Sequence, residues 1–522
     1  MDIQMMTTRR TWTDTGNNLP PGSPEESAEF RRLQQGLAAQ FAHIFPDKLA
    51  PRTVVILPSL TLDAEILGSI KGALHYEERL LCLLMMLRMP RTNIIYLSSM
   101  PVSEVIVDYY LHLLQGVTGH HARQRLTMLS CYDSSNRPLS EKILERPRLI
   151  SRIKNLIADP ASTHLTCYNI TPLEKTIAVN LGIPLFGTDP EMFYEGSKSG
   201  ARKTFRACGI DLPDGFEDLT TRDDIVRSLA ALKERYPTLR KAVIKINDGF
   251  SGDGNAMYRY PEFPSESSPA EVIARTLESQ MQTVAKSVSQ DLFFRKFAEM
   301  GGIVEEFLEG EMKMSPSVQC VIGPNGSVEV ASTHDQLLGG DDGQIFLGAV
   351  FPADKGYAPA LANDGRKVAQ ALAAKGAIGR FAIDFISVKQ PDGAWRNFAI
   401  EINLRKGGTT HPFLMLQFLT DGKYHADSGR YITASGNTRY YFASDNASNP
   451  RYAGLTPHDL IDIAMFHGLM YDGAAQEGAM FHLIGALSEF GKLGLVCIGS
   501  TPERAKGFYE KTIAVLNHET GN

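Results

Sequence analysis

Residues 380–408 have the sequence RFAIDFISVKQPDGAWRNFAIEINLRKGG, two stretches rich in β-branched and aromatic residues on either side of Asp392-Gly393. This dipeptide suits a two-residue type I′ turn, so the segment predicts an antiparallel hairpin. Counting back along both strands from that turn places Asp384 directly opposite Glu401. The hairpin therefore predicts two carboxylates as close neighbours on one sheet surface.

The same register divides the hairpin into two faces. One face is wholly apolar and carries Phe381, Ile383, Phe385, Ile400, Ile402 and Leu404. The other face carries Ala382, Asp384, Ile386, Ala399, Glu401 and Asn403. Two carboxylates roughly 5 Å apart repel each other by about 3 kcal/mol at an effective dielectric near ~20, and a hard divalent cation reverses that repulsion. Asp384, Glu401 and Asn403 are therefore predicted ligands of Mg²⁺ shared with phosphate oxygens.

A second interpretation of this hairpin is the solvated outer face of an edge hairpin, on which the carboxylates only maintain solubility. The segment that follows favours the metal site. Residues 405–411, RKGGTTH, place a guanidinium, a glycine pair and two hydroxyls directly after the predicted metal strand. Such a loop can present backbone N–H groups and the charge of Arg405 to an anion.

Two lysines upstream are candidate phosphate ligands. In KAVIKINDGFSGDGNAM, Lys245 lies inside an apolar strand and a loop containing Gly249, Gly252 and Gly254 follows it. Lysine is rarely buried without a partner, and glycine amides can close over a phosphate. An ordinary hairpin turn is the alternative. The chain contains no GxxxxGK[ST] motif, so the loop is not a P-loop.

Lys198 is the second of these lysines and begins a predicted helix in GSKSGARKTFRACGI. Its position at the start of a helix makes it a candidate second cation for the same phosphates. An exposed helix with solvated charges is the alternative for this segment.

An acidic strand end is a candidate nucleotide hinge. In GGIVEEFLEGEMKM, an apolar strand ends at Glu305-Glu306-Phe307-Leu308. The backbone of Glu306 and Leu308 could bond an adenine edge, with Glu309 or Glu311 accepting from ribose hydroxyls. The alternative is a strand that simply leaves the core.

His334 and Asp335 stand at the end of another predicted strand, SVEVASTHDQ. They are candidate substrate contacts, and a structural histidine is the alternative.

Composition excludes several classes of function. The chain has 522 residues, 43% hydrophobic content and a net charge of -6, which suits an enzyme of about three domains and not a nucleic-acid-binding protein. Its six cysteines lack metal-ligand spacing, as expected of reduced thiols in the cytoplasm. The longest apolar run, Leu80 to Leu87, is too short to cross a membrane, and the first residues lack the apolar core of a signal peptide.

The chain divides into four predicted parts. Residues 1–50 contain a polar tail and a docking helix, and residues 51–187 alternate short β-branched runs with helical patterns, which predicts an α/β domain with a parallel sheet. Residues 188–450 contain strand pairs, glycine turns and a few helices, which predicts an α+β domain. Residues 451–522 return to helix around the strand LGLVCIG.

The order of these signals resembles the ATP-grasp superfamily: a lysine before a short helix, a lysine strand with a glycine loop, an acidic hinge, then Asp, Glu-x-Asn and a basic glycine loop. The resemblance is closer to the peptide ligases of the pheganomycin type. It rests on SPSVQ, STHDQ, GRFAIDF, EINLRKGGTTHPF and HLIGALSEFGKLGL, and covers about residues 50–520. It implies a pre-ATP-grasp domain followed by an ATP-grasp domain.

The resemblance also implies roles for individual residues. The nucleotide ATP would be held by Lys198, Lys245, Gly252, Gly254, Glu305, Glu306, Leu308 and either Glu309 or Glu311. Mg²⁺ would be held by Asp384, Glu401 and Asn403. Lys198, Lys245 and Arg405 would act in catalysis, and the acid substrate would meet Gly407, Gly408, Thr409 and Thr410, with His334 and Asp335 nearby.

The implied activity is ATP-dependent formation of an amide between a small-molecule acid and an amine, both expected to be amino acids or short peptides, through an acyl-phosphate. Two alternatives stay open. One is a phosphotransferase that stops at the phosphorylated product, and the other is a non-catalytic nucleotide-binding regulator. A homodimer is the default expectation, since twofold symmetry is the commonest among oligomers.

Overall fold

The computed structural model describes residues 19–62, 67–68, 70–248, 254–263, 267–285, 288–339 and 345–521. Within these ranges the strands form one parallel sheet of four strands, antiparallel sheets of five and two strands, and a sheet of nine. None of the helices in these ranges has the length and apolar character needed to cross a bilayer. The predicted fold class, α/β followed by α+β, is confirmed.

The first region contains the parallel sheet, with strand order β3-β2-β1-β4. Its strands are β1 (Arg52–Leu57), β2 (Thr92–Ser98), β3 (Leu126–Ser130) and β4 (Thr163–Cys167). Its helices are α1 (Pro24–His43), α2 (Glu104–His112), α3 (Gly119–Arg123), α4 (Leu139–Leu144), α5 (Pro147–Leu156) and α6 (Pro172–Leu181), with 3-10 helices Ala73–Arg88 and Pro160–Ser162. Val54 and Ile56 pack into one apolar core while Val55 and Leu57 pack into another, because helices cover both faces of the sheet.

Helix α1 docks on this region. Ser23 caps it by accepting the N–H of Glu26, and its buried face includes Leu33. The amides of Gln34 and Gln40 donate to the carbonyl oxygens of Leu185 and Thr163, at 2.9 and 2.8 Å. These bonds fix the helix against the edge of the parallel sheet.

The second region is a five-stranded antiparallel sheet of order β5-β9-β6-β7-β8. Its strands are β5 (Gly215–Leu219), β6 (Lys241–Ile246), β7 (Asn255–Arg259), β8 (Met281–Thr283) and β9 (Gly302–Glu306). Its helices are α7 (Phe193–Gly196), α8 (Lys198–Ala207), α9 (Arg222–Arg235), α10 (Pro269–Gln280) and α11 (Gln290–Met300), with the 3-10 helix Pro190–Met192. Ile244 and Ile246 belong to the apolar core under the helices, so the alternation of β6 directs Val243 and Lys245 to the opposite face.

The third region is the nine-stranded sheet, with order β10-β14-β11-β12-β13-β18-β20-β19 and β15 paired to β14. Its strands are β10 (Lys313–Met314), β11 (Pro316–Ile322), β12 (Val328–Gly339), β13 (Ile345–Phe351), β14 (Gly379–Lys389), β15 (Trp395–Asn403), β18 (Tyr440–Ser448), β19 (Gly478–His482) and β20 (Lys492–Gly499), and β16 (Lys423–His425) with β17 (Arg430–Ile432) forms a separate hairpin. The accompanying helices are α12 (Ala358–Ala374), α13 (Thr410–Thr420), α14 (Pro457–Phe466), α15 (Ala486–Phe490) and α16 (Pro502–Glu519), with the 3-10 helix Pro450–Tyr452. Because β19 and β20 complete this sheet, residues 451–521 are structurally continuous with it.

A buried charged cluster joins the first region to the large sheet. The guanidinium of Arg79 donates to Asp445 and to the hydroxyl of Tyr168, and the other oxygen of Asp445 lies 2.9 Å from Nε2 of His482. Nδ1 of His411 lies 3.0 Å from the carbonyl oxygen of Arg79. Burial alone would raise the pKa of Asp445, but Arg79 and His482 outweigh it and hold that pKa well below its usual range. We call Arg79, Asp445, His411 and His482 the interface cluster.

Candidate active site

The hairpin of β14 and β15 places Asp384 directly opposite Glu401, and this prediction is confirmed. On the next strand, Ser317 of β11 pairs with Asp384. The row continues to His334 of β12, so these four residues cross the sheet side by side. The carboxylate pair thus lies on the surface of the large sheet and not at a fraying hairpin end.

The turn of this hairpin differs from the prediction. The N–H of Gln390 donates to the carbonyl oxygen of Ala394, and the N–H of Gly393 donates to the carbonyl oxygen of Gln390. Gly393 has a φ of 86°, so the loop is the three-residue type in which a glycine takes the left-handed conformation. A two-residue type I′ turn at Asp392-Gly393 is therefore wrong.

A bulge on β15 restores the predicted pairing. The register shifts between Asp384 and Phe385, so Phe385 faces Ala399 and Ile400 is the extra residue. Ala399 consequently packs in the apolar core, and the predicted faces of Ala399 and Ile400 are wrong. The shift at the turn and the shift at the bulge cancel, which is why the carboxylates still meet.

Neutral amides and one ammonium surround the two carboxylates. Nδ2 of Asn403 donates to Asp384 at 2.9 Å and to Glu401 at 2.8 Å. Nε2 of Gln336 donates to the other oxygen of Asp384 at 2.7 Å. Nζ of Lys198 lies 2.6 Å from the other oxygen of Glu401. Helix α8 presents this lysine from its first residue, because Ser197 caps the helix by accepting the N–H of Gly200.

These neighbours push the pKa values of the two carboxyl groups in opposite directions. Burial and the charge of Glu401 raise the pKa of Asp384. Burial would also raise the pKa of Glu401, but the charge and hydrogen bond of Lys198 outweigh it and lower that pKa. The pair therefore carries one firmly held negative charge beside Lys198 and a second one that a further cation would stabilise.

The donor set fits Mg²⁺. Asp384, Glu401 and Asn403 offer oxygens only, as this ion prefers, and Asn403 would turn its amide oxygen to the ion in place of the N–H groups it now directs at both carboxylates. The described residues contain no group of three or more His, Cys, Asp and Glu side chains that could hold a metal. The hairpin pair would therefore need oxygens from a bound nucleotide to complete the coordination of the ion.

Lys245 lies on the face of β6 opposite the apolar core and is buried with an ion-pair partner. Nζ of Lys245 contacts one oxygen of Glu305, and Arg202 of α8 lies 3.0 Å from the other. Both carboxylate oxygens of Glu305 are thus engaged. The side chain of Glu305 balances two cations instead of bordering a base, which corrects its predicted role.

The segment after β9 offers free backbone donors, of which the N–H of Leu308 is the first. Within the described part of the chain, the N–H of Leu308 has no hydrogen-bond partner, whereas its carbonyl oxygen accepts Nζ of Lys313 at 3.0 Å. The carboxylate of Glu306 accepts the N–H of Asp214 at 2.9 Å, and the backbone N–H of Glu306 donates to the carbonyl oxygen of Asp214. A hinge contact at Leu308 stays a prediction that this geometry permits.

The two ribose candidates lie in different surroundings. Glu309 forms a 2.7 Å ion pair with Arg240 and lines a cavity of about 320 Å³ together with Arg240, Lys241 and Arg259. Glu311 is exposed. Gly252 lies outside the described residues, and the carbonyl oxygen of Gly254 accepts the N–H of Ile246.

Residues 405–410, which we call the substrate loop, connect β15 to α13. The N–H of Gly407 donates to the hydroxyl of Thr410 at 3.0 Å, and the amide of Gln319 donates to the hydroxyl of Thr409 at 2.9 Å. A Cβ on Gly408 would lie 2.6 Å from the ring of Phe346, so a larger residue at this position would require that ring to shift. These contacts seat the loop on the sheet face that carries the carboxylate pair.

The side chains of His334 and Asp335 are both buried. The side chain of His334 is 0% exposed and packs among the rings of Phe351, Phe413 and Tyr441. Burial lowers its pKa to about 3, so the ring is neutral. Asp335 accepts bonds from the N–H of Asp354 and the hydroxyl of Tyr357. The prediction that these two residues contact the substrate is wrong, because the sheet and the elements packed on it enclose both side chains.

Three residues that contact the site were missed by the sequence analysis. Gln336 binds Asp384 directly, and its position two residues after His334 on β12 was a signal that could have identified it. Arg202 follows Lys198 by four residues on α8 and so shares its helix face. Asn247 anchors the start of α8 through Ser199, a contact without a local sequence signal.

Comparison with known proteins agrees with this geometry. A family model described as IQCH-like, ATP-grasp matches residues 264–427, which include both strands of the hairpin and the substrate loop. A second model, the PGM1 C-terminal domain, matches residues 459–512. The part of the chain that carries the hairpin and the substrate loop is therefore similar to an ATP-grasp domain.

Two curated relatives cover most of the chain. L-propargylglycine–L-glutamate ligase of Streptantibioticus cattleyicolor is 27% identical over 474 residues, which are 89% of this chain and 94% of that protein. IQ motif-containing protein H of Danio rerio is 22% identical over 94% of this chain, which spans 50% of the length of that protein.

Solved structures share the fold. A biotin carboxylase from Campylobacter jejuni in a nucleotide complex superposes with a TM-score of 0.53 and 13% identity, over 91% of this chain and 96% of that one. The ADP complex of an N5-carboxyaminoimidazole ribonucleotide synthetase superposes with a TM-score of 0.50 and 13% identity, over 90% of this chain and 98% of that one. Both comparisons concern the fold alone.

Proposed function

We propose that this protein is an ATP- and Mg²⁺-dependent ligase that joins the carboxylate of one amino acid to the amine of another. The observation that carries the proposal is the carboxylate pair Asp384 and Glu401, opposite each other on the sheet, with Lys198 against one of them. The substrate loop begins two residues after Asn403. The ATP-grasp relatives include a ligase of two amino acids along nearly the whole chain.

In the first step, a carboxylate oxygen of the acid attacks the γ-phosphorus of ATP, the bond to the β–γ bridging oxygen breaks, and ADP leaves with that electron pair. Lys198 and Lys245 would neutralise the phosphate oxygens, so catalysis consists mainly of positioning and charge compensation. Bound Mg²⁺, held by Asp384, Glu401 and Asn403, would supply further charge neutralisation. The product is an acyl-phosphate.

In the second step, the amine nitrogen attacks the acyl carbon and inorganic phosphate leaves with the electrons of the C–O bond. The nitrogen loses one proton to solvent or to the departing phosphate. Arg405 and backbone N–H groups of the substrate loop would stabilise the oxyanion of the tetrahedral intermediate. The amide, ADP and phosphate are the products.

The test is incubation of the protein with ATP, Mg²⁺ and pairs of amino acids, beginning with L-propargylglycine and L-glutamate and extending to all common amino acids. The expected result is release of ADP and phosphate that requires both amino acids, with a dipeptide detected by mass spectrometry. A phosphorylated product that persists without an amine would instead identify a phosphotransferase. Tight ATP binding without turnover on the whole panel would identify a regulator.

A further inference from the structure

The ammonium of Lys406 is buried at the carboxyl end of β4, although Lys406 belongs to the substrate loop. Its Nζ donates to the hydroxyl of Thr166 at 3.1 Å and to the carbonyl oxygen of Cys167. Its backbone N–H donates to the carbonyl oxygen of Tyr168 at 3.1 Å. The loop is therefore tied to the first region by three hydrogen bonds to consecutive residues.

This position has a particular meaning in a parallel sheet. In the order β3-β2-β1-β4, the chain places β2 and β4 on opposite sides of β1, so a crevice opens beside β1 at the carboxyl ends of the strands. Doubly wound sheets bind their ligands at such a crevice. Here a side chain from the third region takes up the hydrogen-bond acceptors at the end of β4, next to that crevice.

The other end of the substrate loop is fixed to the large sheet through Gln319 and Thr409. The loop is thus held between two regions, and Arg405 and Gly407 lie on either side of the anchored lysine. We propose that Lys406 is a positioning residue, which uses the first region to hold Arg405 and the loop amides in register with the acyl-phosphate. The proposal rests on the proposed ligase function.

The chemical consequence concerns the competition between amine and water. If the loop is displaced, a water oxygen can attack the acyl carbon, inorganic phosphate leaves, and the acid is regenerated without an amide. ATP is then consumed, with ADP and phosphate released. Displacements near 1 Å are sufficient to reduce positioning-dependent rates about 100-fold. Loss of the anchor should therefore separate ATP consumption from amide formation.

The experiment compares wild type with Lys406→Met, using ATP, Mg²⁺, L-propargylglycine and L-glutamate as the probe pair. We expect the ratio of amide to ADP to fall about tenfold in the variant, since water gains access to the acyl-phosphate. The KM for ATP should stay within about twofold, because Lys198 and Lys245 keep their places. Lys406→Gln, which retains a neutral donor, should give an intermediate ratio.

Lys142→Met is the matched control. Lys142 is also buried in the first region, with Nζ bonded to Ser99 at 2.9 Å and to the carbonyl oxygens of Asp133 and Ser135 at 3.0 and 2.7 Å. It has no link to the substrate loop among the described contacts, so its variant should lose stability and keep the wild-type ratio. An equal fall in the ratio for Lys142→Met would overturn the proposal.

Hydrogen exchange of the ADP-bound proteins gives a readout independent of activity. Lys406→Met, or Lys406→Gln if the methionine variant does not fold, should exchange faster in residues 405–410 than wild type, with residues 255–259 unchanged. The role of Lys406 would be overturned if the variant exchanged in the loop at the wild-type rate and gave the wild-type ratio of amide to ADP. If wild type forms no amide from any pair, the proposed function fails, and the exchange data still decide whether Lys406 anchors the loop.

Discussion

The hairpin pair and the interface cluster are both buried groups of charges, but their charges are balanced differently. In the interface cluster, the single carboxylate of Asp445 lies between the guanidinium of Arg79 and the imidazole of His482. In the hairpin pair, two carboxylates face each other and Lys198 contacts only one of them. The first arrangement balances its carboxylate directly, whereas in the second Lys198 pairs with Glu401, and Asp384 accepts hydrogen bonds from the neutral amides of Gln336 and Asn403.

This difference indicates what each group contributes. A buried charge that is fully paired holds a structure together, and removal of one partner is costly because the other is left unpaired. A buried charge that is incompletely paired is typical of a site that binds something. The two groups should therefore respond to substitution in opposite ways, with the interface cluster affecting stability and the hairpin pair affecting activity.

The largest expected effect is on the activity of Glu401→Gln. We expect ligase turnover to fall about 1000-fold, as when one preorganised charged group is lost from a water-excluded site. The stability should change less than in Arg79→Met, because the loss of repulsion with Asp384 opposes the loss of the partner of Lys198. Steady-state assays and urea unfolding measure the two quantities. Asp392→Asn on the exposed turn of the same hairpin is the control, and a Glu401→Gln protein as active as wild type would exclude the mechanism.

The next effect is on the stability of Arg79→Met. The substitution leaves Asp445 buried without its guanidinium, so we expect the free energy of unfolding to fall by about 3 kcal/mol. Urea unfolding measures the change. The exposed pair of Arg137 and Glu145 provides the control, since Arg137→Met should leave the unfolding midpoint nearly unchanged. Equal stability of the two variants would contradict the distinction between a paired cluster and a surface contact.

A smaller effect is expected for Lys198→Met, which should raise the affinity for one ligand and lower the affinity for another. Without Lys198, the carboxylate pair keeps both negative charges unshared, so Mn²⁺ should bind about tenfold more tightly in the absence of nucleotide. ADP should bind about tenfold more weakly, because a predicted phosphate ligand is lost. Electron paramagnetic resonance of Mn²⁺ and calorimetry with ADP measure the two affinities.

Lys203→Met is the matched variant for that experiment. Lys203 lies on the same helix and pairs with Asp218, away from the hairpin. Neither affinity should change in it. If Lys198→Met weakened the binding of both Mn²⁺ and ADP, the lysine would have a structural role only. That result would contradict the distinction between the hairpin pair and the interface cluster.

The smallest effect concerns His334, a buried titratable group whose ring nitrogens have no hydrogen-bond partner within the described residues. Its pKa in the folded protein is lowered from 6.5 to about 3, so the unfolded chain binds more protons between these values and wild-type stability falls as the pH drops through that range. His334→Phe should remove this dependence. It should be about as stable as wild type at pH 8, more stable near pH 4.5, and fully active.

Thermal unfolding at several pH values measures that prediction. A parallel pH profile for wild type and His334→Phe would show that His334 does not titrate with unfolding. A large loss of activity in the variant at neutral pH would place the ring back at the substrate, contrary to its enclosure by Phe351, Phe413 and Tyr441.

The sequence was most informative about contacts between residues that lie close together in the chain. Alternation along two strands joined by a short turn brought Asp384 and Glu401 together, and the N-terminal position of Lys198 on its helix was also accessible. The turn type could not be predicted, because several loop types accept Asp-Gly. The bulge at Ile400 could not be predicted either, because a bulge leaves no mark in a run of apolar residues. The correct pairing thus came from two compensating errors.

Burial by residues that are far apart in the sequence could not be predicted. His334 has the polar sequence neighbours of a site residue, and only the arrival of Phe413 and Tyr441 from distant segments encloses it. Lys406 meets the end of β4 across 239 residues, and Arg79 meets Asp445 across 366. Such contacts depend on how regions pack, and periodicity within one segment carries no information about them.

The unpaired N–H of Leu308 has a consequence for base selection. Within the described residues this N–H has no hydrogen-bond partner, whereas Nζ of Lys313 already occupies one lone pair of the carbonyl oxygen of Leu308. A purine placed there must present a lone pair, as adenine does at N1, whereas guanine carries a hydrogen on the same atom and would set N–H against N–H. Discrimination between ATP and GTP would then originate in the direction of one backbone N–H.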